Sequence, residues 1–112
     1  MITKLELLEK QIKHILNAKD DELVYLALFW VNGLSVNGGD EWKEDYYSIC
    51  KELDIKNPNE FHLHWIKLSE SGILEGDSGS EYLTRAGKEA VEKSLSDSRV
   101  QKIFRIVEKS DR

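Results

Sequence analysis

The stretch GILEGDSGSEYLTRAGKEAV, residues 72–91, constrains the fold of this chain more than any other. Two short apolar runs flank an acidic turn that contains glycines, a pattern typical of two antiparallel strands joined as a hairpin. Gly72 favours the left-handed backbone that ends a preceding helix, and Thr84 is placed to cap a following one. Four apolar side chains are expected to lay the hairpin on the core: Ile73, Leu74, Tyr82 and Leu83.

Helical periodicity covers most of the chain before the hairpin. A narrow apolar stripe with spacings of 3, 4 and 3 predicts a helix over residues 2–17. Residues 20–33 are apolar almost all round from Leu23 onward, which predicts a buried central helix with Asp20 and Asp21 as its caps.

Three further helices are predicted from their caps and stripes. Asp40 is expected to cap the third, after a loop. Asn57 and Pro58 are expected to begin the fourth, which would end near Ser71. The last helix covers residues 98–110 and is amphipathic, with a basic side opposite an apolar one.

Composition bounds the class of protein. The chain has 112 residues, which suits one domain, and its net charge is −5. The charge is uneven, because residues 84–112 are net basic and the first 83 residues are strongly acidic. The single cysteine, Cys50, is expected to be a buried apolar residue. Together with an N-terminus unlike a signal peptide and no apolar run that could cross a membrane, it favours a cytoplasmic protein without a membrane role.

The order helix, helix, helix, hairpin, helix is that of a winged helix-turn-helix. FHLHWIKLSESGILE resembles the recognition helix and first wing strand of that superfamily, and EYLTRAGKEAVE resembles its second wing strand and the Leu-Thr-x-x-Gly helix start. The chain is therefore similar to small prokaryotic or viral winged-helix proteins over about residues 20–95. The expected fold is mainly α with a small β-hairpin. It is a single domain over 1–112, with extra N- and C-terminal helices.

This resemblance implies double-stranded DNA as a partner and transcriptional regulation as a role. The recognition helix would enter the major groove, and cations nearby and on the last helix, which also carries Arg112, would contact phosphates. The candidate DNA-binding residues are Asn59, His64, Lys67, Arg85, Lys102, Arg105 and Lys109.

The flanking helices of such proteins often build a dimer, so a homodimer is expected. The candidate interface residues are Leu5, Leu8, Ile12, Ile15, Ile103, Phe104 and Val107.

An alternative is a winged-helix module that binds a protein and no DNA. The expected wing carries Glu75, Asp77 and Glu81 and no lysine or arginine, although phosphate neutralisation provides much of the affinity for DNA. Leu63 and Ile66 also lie off the expected core face of the fourth helix, and if exposed they offer an apolar patch to a partner.

Catalysis, cofactors and metals have little support in the sequence. No glycine-rich phosphate loop or nucleophile elbow is present. The His62 and His64 rings, two residues apart on a helix, would point about 200° apart and so could not share one metal ion. We therefore expect neither an enzyme nor a metal or cofactor site.

Overall fold

A computed structural model describes residues 2–77 and 79–110 of the chain. It consists of helices and one hairpin, in the order α1 (Lys4–Asn17), α2 (Asp20–Asn32), a 3₁₀-helix (Asn37–Trp42), α3 (Lys43–Glu52), α4 (Leu63–Glu70), β1 (Leu74–Asp77), β2 (Ser80–Leu83), α5 (Arg85–Ser94) and α6 (Ser98–Ser110). The mainly helical class with a small antiparallel hairpin is confirmed.

Helix α2 forms the centre of the core, as its apolar sequence predicts. Residues 21–29 are all buried, and α3 and α6 pack against it while α1 packs on α5. Asp20 and Asp21 do not cap α2, because Lys19 occupies the cap position. The carboxylate of Asp21 instead accepts a hydrogen bond from the backbone N–H of Asn59 at 2.7 Å.

The third and fourth helices begin later than predicted. Asp40 lies inside the 3₁₀-helix and does not cap α3. The prediction that α4 begins at Pro58 is also wrong, because Asn57 has a left-handed backbone with φ of 56°. Side chains of other elements hold the segment after it, so α4 begins only at Leu63.

The hairpin and its junction with α5 follow the prediction closely. Gly72 has φ of 78°, and the N–H of Ile73 returns to the carbonyl of Leu68 at 3.0 Å to end α4. The Thr84 hydroxyl accepts from the N–H of Gly87 at 2.9 Å and thereby caps α5. A Cβ on Gly87 would lie 2.3 Å from the carbonyl oxygen of Ile73, so glycine permits this close approach.

The prediction of which hairpin residues face the core is wrong at one position. Strand β1 pairs with β2 so that Leu74 faces Leu83, and both are buried. Tyr82 is exposed, and the neighbouring Glu81 is buried. The reason is a further bridge in which Glu81 pairs with Ser35, after α2, and turns its side chain inward.

Candidate nucleic-acid interface

The solvent side of α4 differs from the predicted one. Leu63 and Ile66 are each about half exposed, and Lys67 is exposed beside them. His64, predicted to reach a base edge, is only 1% exposed and belongs to the core. That prediction is corrected because the imidazole is drawn inward by hydrogen-bonding groups on α2 and α3.

The buried imidazole joins a small polar network. His64 Nε2 lies 2.7 Å from the hydroxyl of Tyr46 and 3.5 Å from Oδ2 of Asp21. The Tyr46 hydroxyl donates to the carbonyl of Asn59 at 2.7 Å, so an N–H on Nε2 satisfies both contacts of the hydroxyl. Burial lowers the pKa of His64 below its ordinary value, although Asp21 opposes that shift.

Asn59 is also placed differently from the prediction. It lies in the segment before α4 and not on the helix, and it is half-buried. Its backbone N–H and carbonyl are both occupied, by Asp21 and Tyr46. Its backbone therefore fixes the approach to α4 from inside the fold.

A lysine-lined cleft lies beside α4 on the side of α1. It has a volume of about 460 Å³. Its charged lining consists of Lys10, Lys13, Lys19 and Lys67, together with His14 and Glu22. Oε2 of Glu22 lies 2.6 Å from Nε2 of His14, and the four lysines outnumber this single carboxylate, so the lining carries net positive charge.

Sequence reasoning missed three lysines of this cleft, which are Lys10 and Lys13 on α1 and Lys19 at the cap position of α2. The contact that brings α1 beside α4 is long-range: Gln11, which is buried, donates from Nε2 to the carbonyl of Ser71 at 3.0 Å. In the sequence Gln11 lies beside the apolar stripe of α1, but a glutamine there does not by itself predict a contact with α4.

The remaining predicted cations lie elsewhere. Arg85 lines a different groove, of about 620 Å³, together with Lys4, Leu5 and Leu8. The three candidate cations of α6, Lys102, Arg105 and Lys109, are exposed along one side of that helix. Arg112 lies outside the described residues.

Helices α4 and α6 pack on different sides of α2. Tyr25 contacts His64 on α4, with ring centroids 5.5 Å apart, whereas Trp30 contacts Phe104 on α6 at 6.4 Å. Positions 25 and 30 are separated by roughly 140° around a helix. None of Lys102, Arg105 and Lys109 lines the lysine-lined cleft, although α6 begins near it, where Arg99 pairs with Asp20 at 2.6 Å.

The candidate dimer residues are mostly used within the chain. Ile103, Phe104 and Val107 are buried, because the apolar side of α6 packs on α2. On α1 the burial is graded: Ile15 is buried, Leu8 and Ile12 are half-buried, and Leu5 is exposed. Of this set only the N-terminal part of α1 is free to meet another molecule.

Cys50 is buried, as predicted, and burial raises the pKa of its thiol to about 11. Among residues 2–77 and 79–110, no group of three or more His, Cys, Asp or Glu side chains is arranged to hold a metal ion.

No protein-family model, curated protein or solved structure matches this chain. None of the helices in the described part of the chain has the length and apolarity needed to cross a membrane.

Proposed function

We propose that this chain is a winged-helix protein that binds double-stranded DNA through α4 and the lysine-lined cleft beside it, in transcription or a related DNA transaction. The observation that carries the proposal is the convergence of Lys67 with Lys10 and Lys13 on one cleft. On a chain of net charge −5, such a concentration of cations next to the expected recognition helix favours a polyanionic partner.

The contacts would be mainly electrostatic. Lys67 would reach a phosphate or a base edge from α4, and the lysines of α1 would contact the backbone of one strand. Each neutralised phosphate releases counterions, so the affinity should fall steeply with salt. The acidic strand residues Glu75 and Asp77 would stay away from the duplex in this arrangement, because like charges repel.

The proposal is tested by fluorescence anisotropy with a labelled duplex over a range of salt concentrations. The variant carries Lys10→Ala, Lys13→Ala and Lys67→Ala. If these three side chains contact phosphates, the slope of log affinity against log salt should become shallower by roughly 3.

A matched control removes the same charge from α6, through Lys102→Ala, Arg105→Ala and Lys109→Ala. We expect this variant to keep most of its affinity, because these residues lie on another side of α2. Equal losses in both variants would show that only net charge matters. Absence of any binding to duplex DNA at low salt would refute the proposal.

The second candidate function is a protein-interaction module. Its specific support is the half exposure of Leu63 and Ile66 on α4, where a DNA-reading helix would place polar groups. Here the experiment is the double variant Leu63→Ser and Ile66→Ser. If α4 serves a protein partner and no DNA, neither the parent nor this variant should bind the duplex. If these side chains pack against thymine methyl groups in the major groove, the variant should bind DNA more weakly than the parent.

A further inference from the structure

The outer face of the hairpin has an ordered pattern that neither DNA contact nor the core explains. Ser35 pairs with Glu81, and both side chains are buried. Successive side chains of a strand point to opposite faces. Leu34 and Val36 therefore lie on the outer face, together with Tyr82.

This face carries two rows across the three paired segments. Extending the pairing of Ser35 with Glu81 by one residue on each side sets Leu34 opposite Tyr82 and Val36 opposite Ser80. Strand β1 continues the rows, with Glu75 opposite Tyr82 and Asp77 opposite Ser80. Each row thus begins with an aliphatic side chain and ends with a carboxylate.

The apolar part of the face is unusually open to solvent. Leu34 is 65% exposed, Val36 52% and Tyr82 42%. Leu34 and Tyr82 also line a groove of about 510 Å³, together with Trp30 and Lys88. Adjacent exposed apolar side chains beside a groove are characteristic of interaction surfaces.

We propose that this outer face docks a basic amphipathic helix of a partner protein. The aliphatic and acidic stripes run parallel to the strands and are separated by two inter-strand spacings, about 10 Å. A helix with its side chains is about 10–12 Å across, so one helix lying over Tyr82 touches both stripes. Its apolar side meets Leu34 and Val36, and its lysines or arginines meet Glu75 and Asp77.

Charge complementarity selects this occupant. Between Gly72 and Thr84 the chain has no lysine or arginine, so the hairpin presents only negative charge. A duplex or an acidic segment would be repelled, whereas a basic segment gains both steering and pairing. This surface is separate from the lysine-lined cleft, and the proposal holds whether or not the chain binds DNA.

The test uses a synthetic helical peptide with leucines along one side and lysines flanking them, titrated into ¹⁵N-labelled protein. We expect saturable amide shifts centred on Leu34, Val36 and Tyr82. The affinity should fall as salt rises, because exposed charge pairs are screened. A second peptide, in which every lysine is replaced by glutamate, should cause no shifts at these residues.

Two variants locate the surface. Leu34→Ser with Tyr82→Ser should abolish saturable binding, and the matched control Leu63→Ser with Ile66→Ser, on the other exposed apolar pair, should bind like the parent. Glu75→Gln with Asp77→Asn should weaken binding about tenfold, a loss equal to about 1.4 kcal/mol. Glu44→Gln with Glu52→Gln, on the exposed side of α3, should leave the affinity unchanged.

Three outcomes overturn the proposal. One is equal binding of the acidic peptide, and another is a set of shifts centred on α4 or spread over the whole acidic surface. The third is a concentration-dependent shift of Leu34 and Tyr82 in the protein alone, abolished by Leu34→Ser, since this would make a second copy of the chain the occupant. Circular dichroism melting confirms that each variant remains folded.

Discussion

The two ends of α4 are fixed by different kinds of interaction. At its C-terminal end the backbone itself ends the helix, through the left-handed Gly72 and the hydrogen bond from the Ile73 N–H to the Leu68 carbonyl. At its start, side chains of other elements hold the backbone, with Asp21 and Tyr46 on either side of Asn59. The first arrangement is mostly local in the chain, with the bond from Gln11 to the Ser71 carbonyl as its long-range member, and the second joins residues far apart in sequence.

This difference has a physical consequence for each end. The junction of hairpin and α5 has no room for an added atom, because backbone meets backbone there. The start of α4 depends on a few buried hydrogen bonds, whose loss leaves polar atoms without partners. Substitutions at the two ends should therefore lower the free energy of unfolding for different reasons and by different amounts.

The largest effect is expected at the hairpin end, for Gly87→Ala. The added Cβ would lie 2.3 Å from the Ile73 carbonyl oxygen, so α5 must move away from the hairpin. We expect the free energy of unfolding in urea to fall by about 3 kcal/mol. Gly79→Ala is the control, since its Cβ meets nothing within 4 Å and only the backbone strain of φ 102° remains, about 1 kcal/mol. Equal losses would show that the close approach is unimportant.

The next largest effect is expected at the start of α4, for Tyr46→Phe. Removing this hydroxyl leaves the Asn59 carbonyl and the His64 imidazole without their partner in a buried site. The cost should be about 2 kcal/mol in the same unfolding measurement. Tyr47→Phe removes one hydrogen bond, to the N–H of Phe61, at a more exposed position. It should cost about 0.5 kcal/mol; a larger loss there than at Tyr46 would contradict this account.

A smaller effect is expected for Thr84→Ala, again at the hairpin end. The hydroxyl caps α5 and also donates to the carbonyl of Gly72 at 2.7 Å, so both contacts disappear. A thermal or urea unfolding curve should show a loss of about 1 kcal/mol. The exposed cap of α1 provides the comparison, because the Thr3 hydroxyl accepts from the N–H of Glu6 and donates to its carboxylate in contact with solvent. Thr3→Ala should cost about half as much.

The last effect is a pH dependence of stability at the start of α4, similar in size to the loss expected for Thr84→Ala. Burial holds the pKa of His64 below its ordinary value of 6.5, so the unfolded chain takes up a proton more readily than the folded one. Stability from this group is complete above about pH 6.5 and is lost as the pH falls towards the lowered pKa. Between about pH 7.5 and pH 5.5 the loss should be roughly 1 kcal/mol.

Urea unfolding of His64→Gln should show less of this acid sensitivity than the parent. His62→Gln, which changes an exposed imidazole on the same segment, should behave like the parent. If both variants behaved alike, the acid sensitivity would have to arise elsewhere in the chain.

The comparison also explains which features the sequence could predict. The end of α4 and the cap of α5 depend mainly on Gly72, Thr84 and their immediate neighbours, so a short stretch of sequence predicts them. The start of α4 depends on Asp21 and Tyr46, which are distant in the chain. The propensities of Asn57 and Pro58 therefore pointed to a helix start that long-range hydrogen bonds override.

The candidate site was predictable only in part, for the same reason. Lys67 was found because it stands on the expected recognition helix. Lys10 and Lys13 were missed, since their place beside it depends on how α1 packs against α4. Tyr82 was predicted to point inward because apolar residues usually face the core. The pairing of Glu81 with Ser35 instead turns the Glu81 side chain inward and the Tyr82 side chain outward.

The buried thiol of Cys50 is a natural probe of how often α3 opens. As the single cysteine of the chain, lying at the end of α3 with its thiol pKa raised to about 11, it should react with a thiol reagent only when α3 opens. The labelling rate, measured by mass as denaturant increases, then reports the free energy of that opening. The same unmodified chain can thus reveal whether α3 is released by local fluctuation or only when the whole protein unfolds.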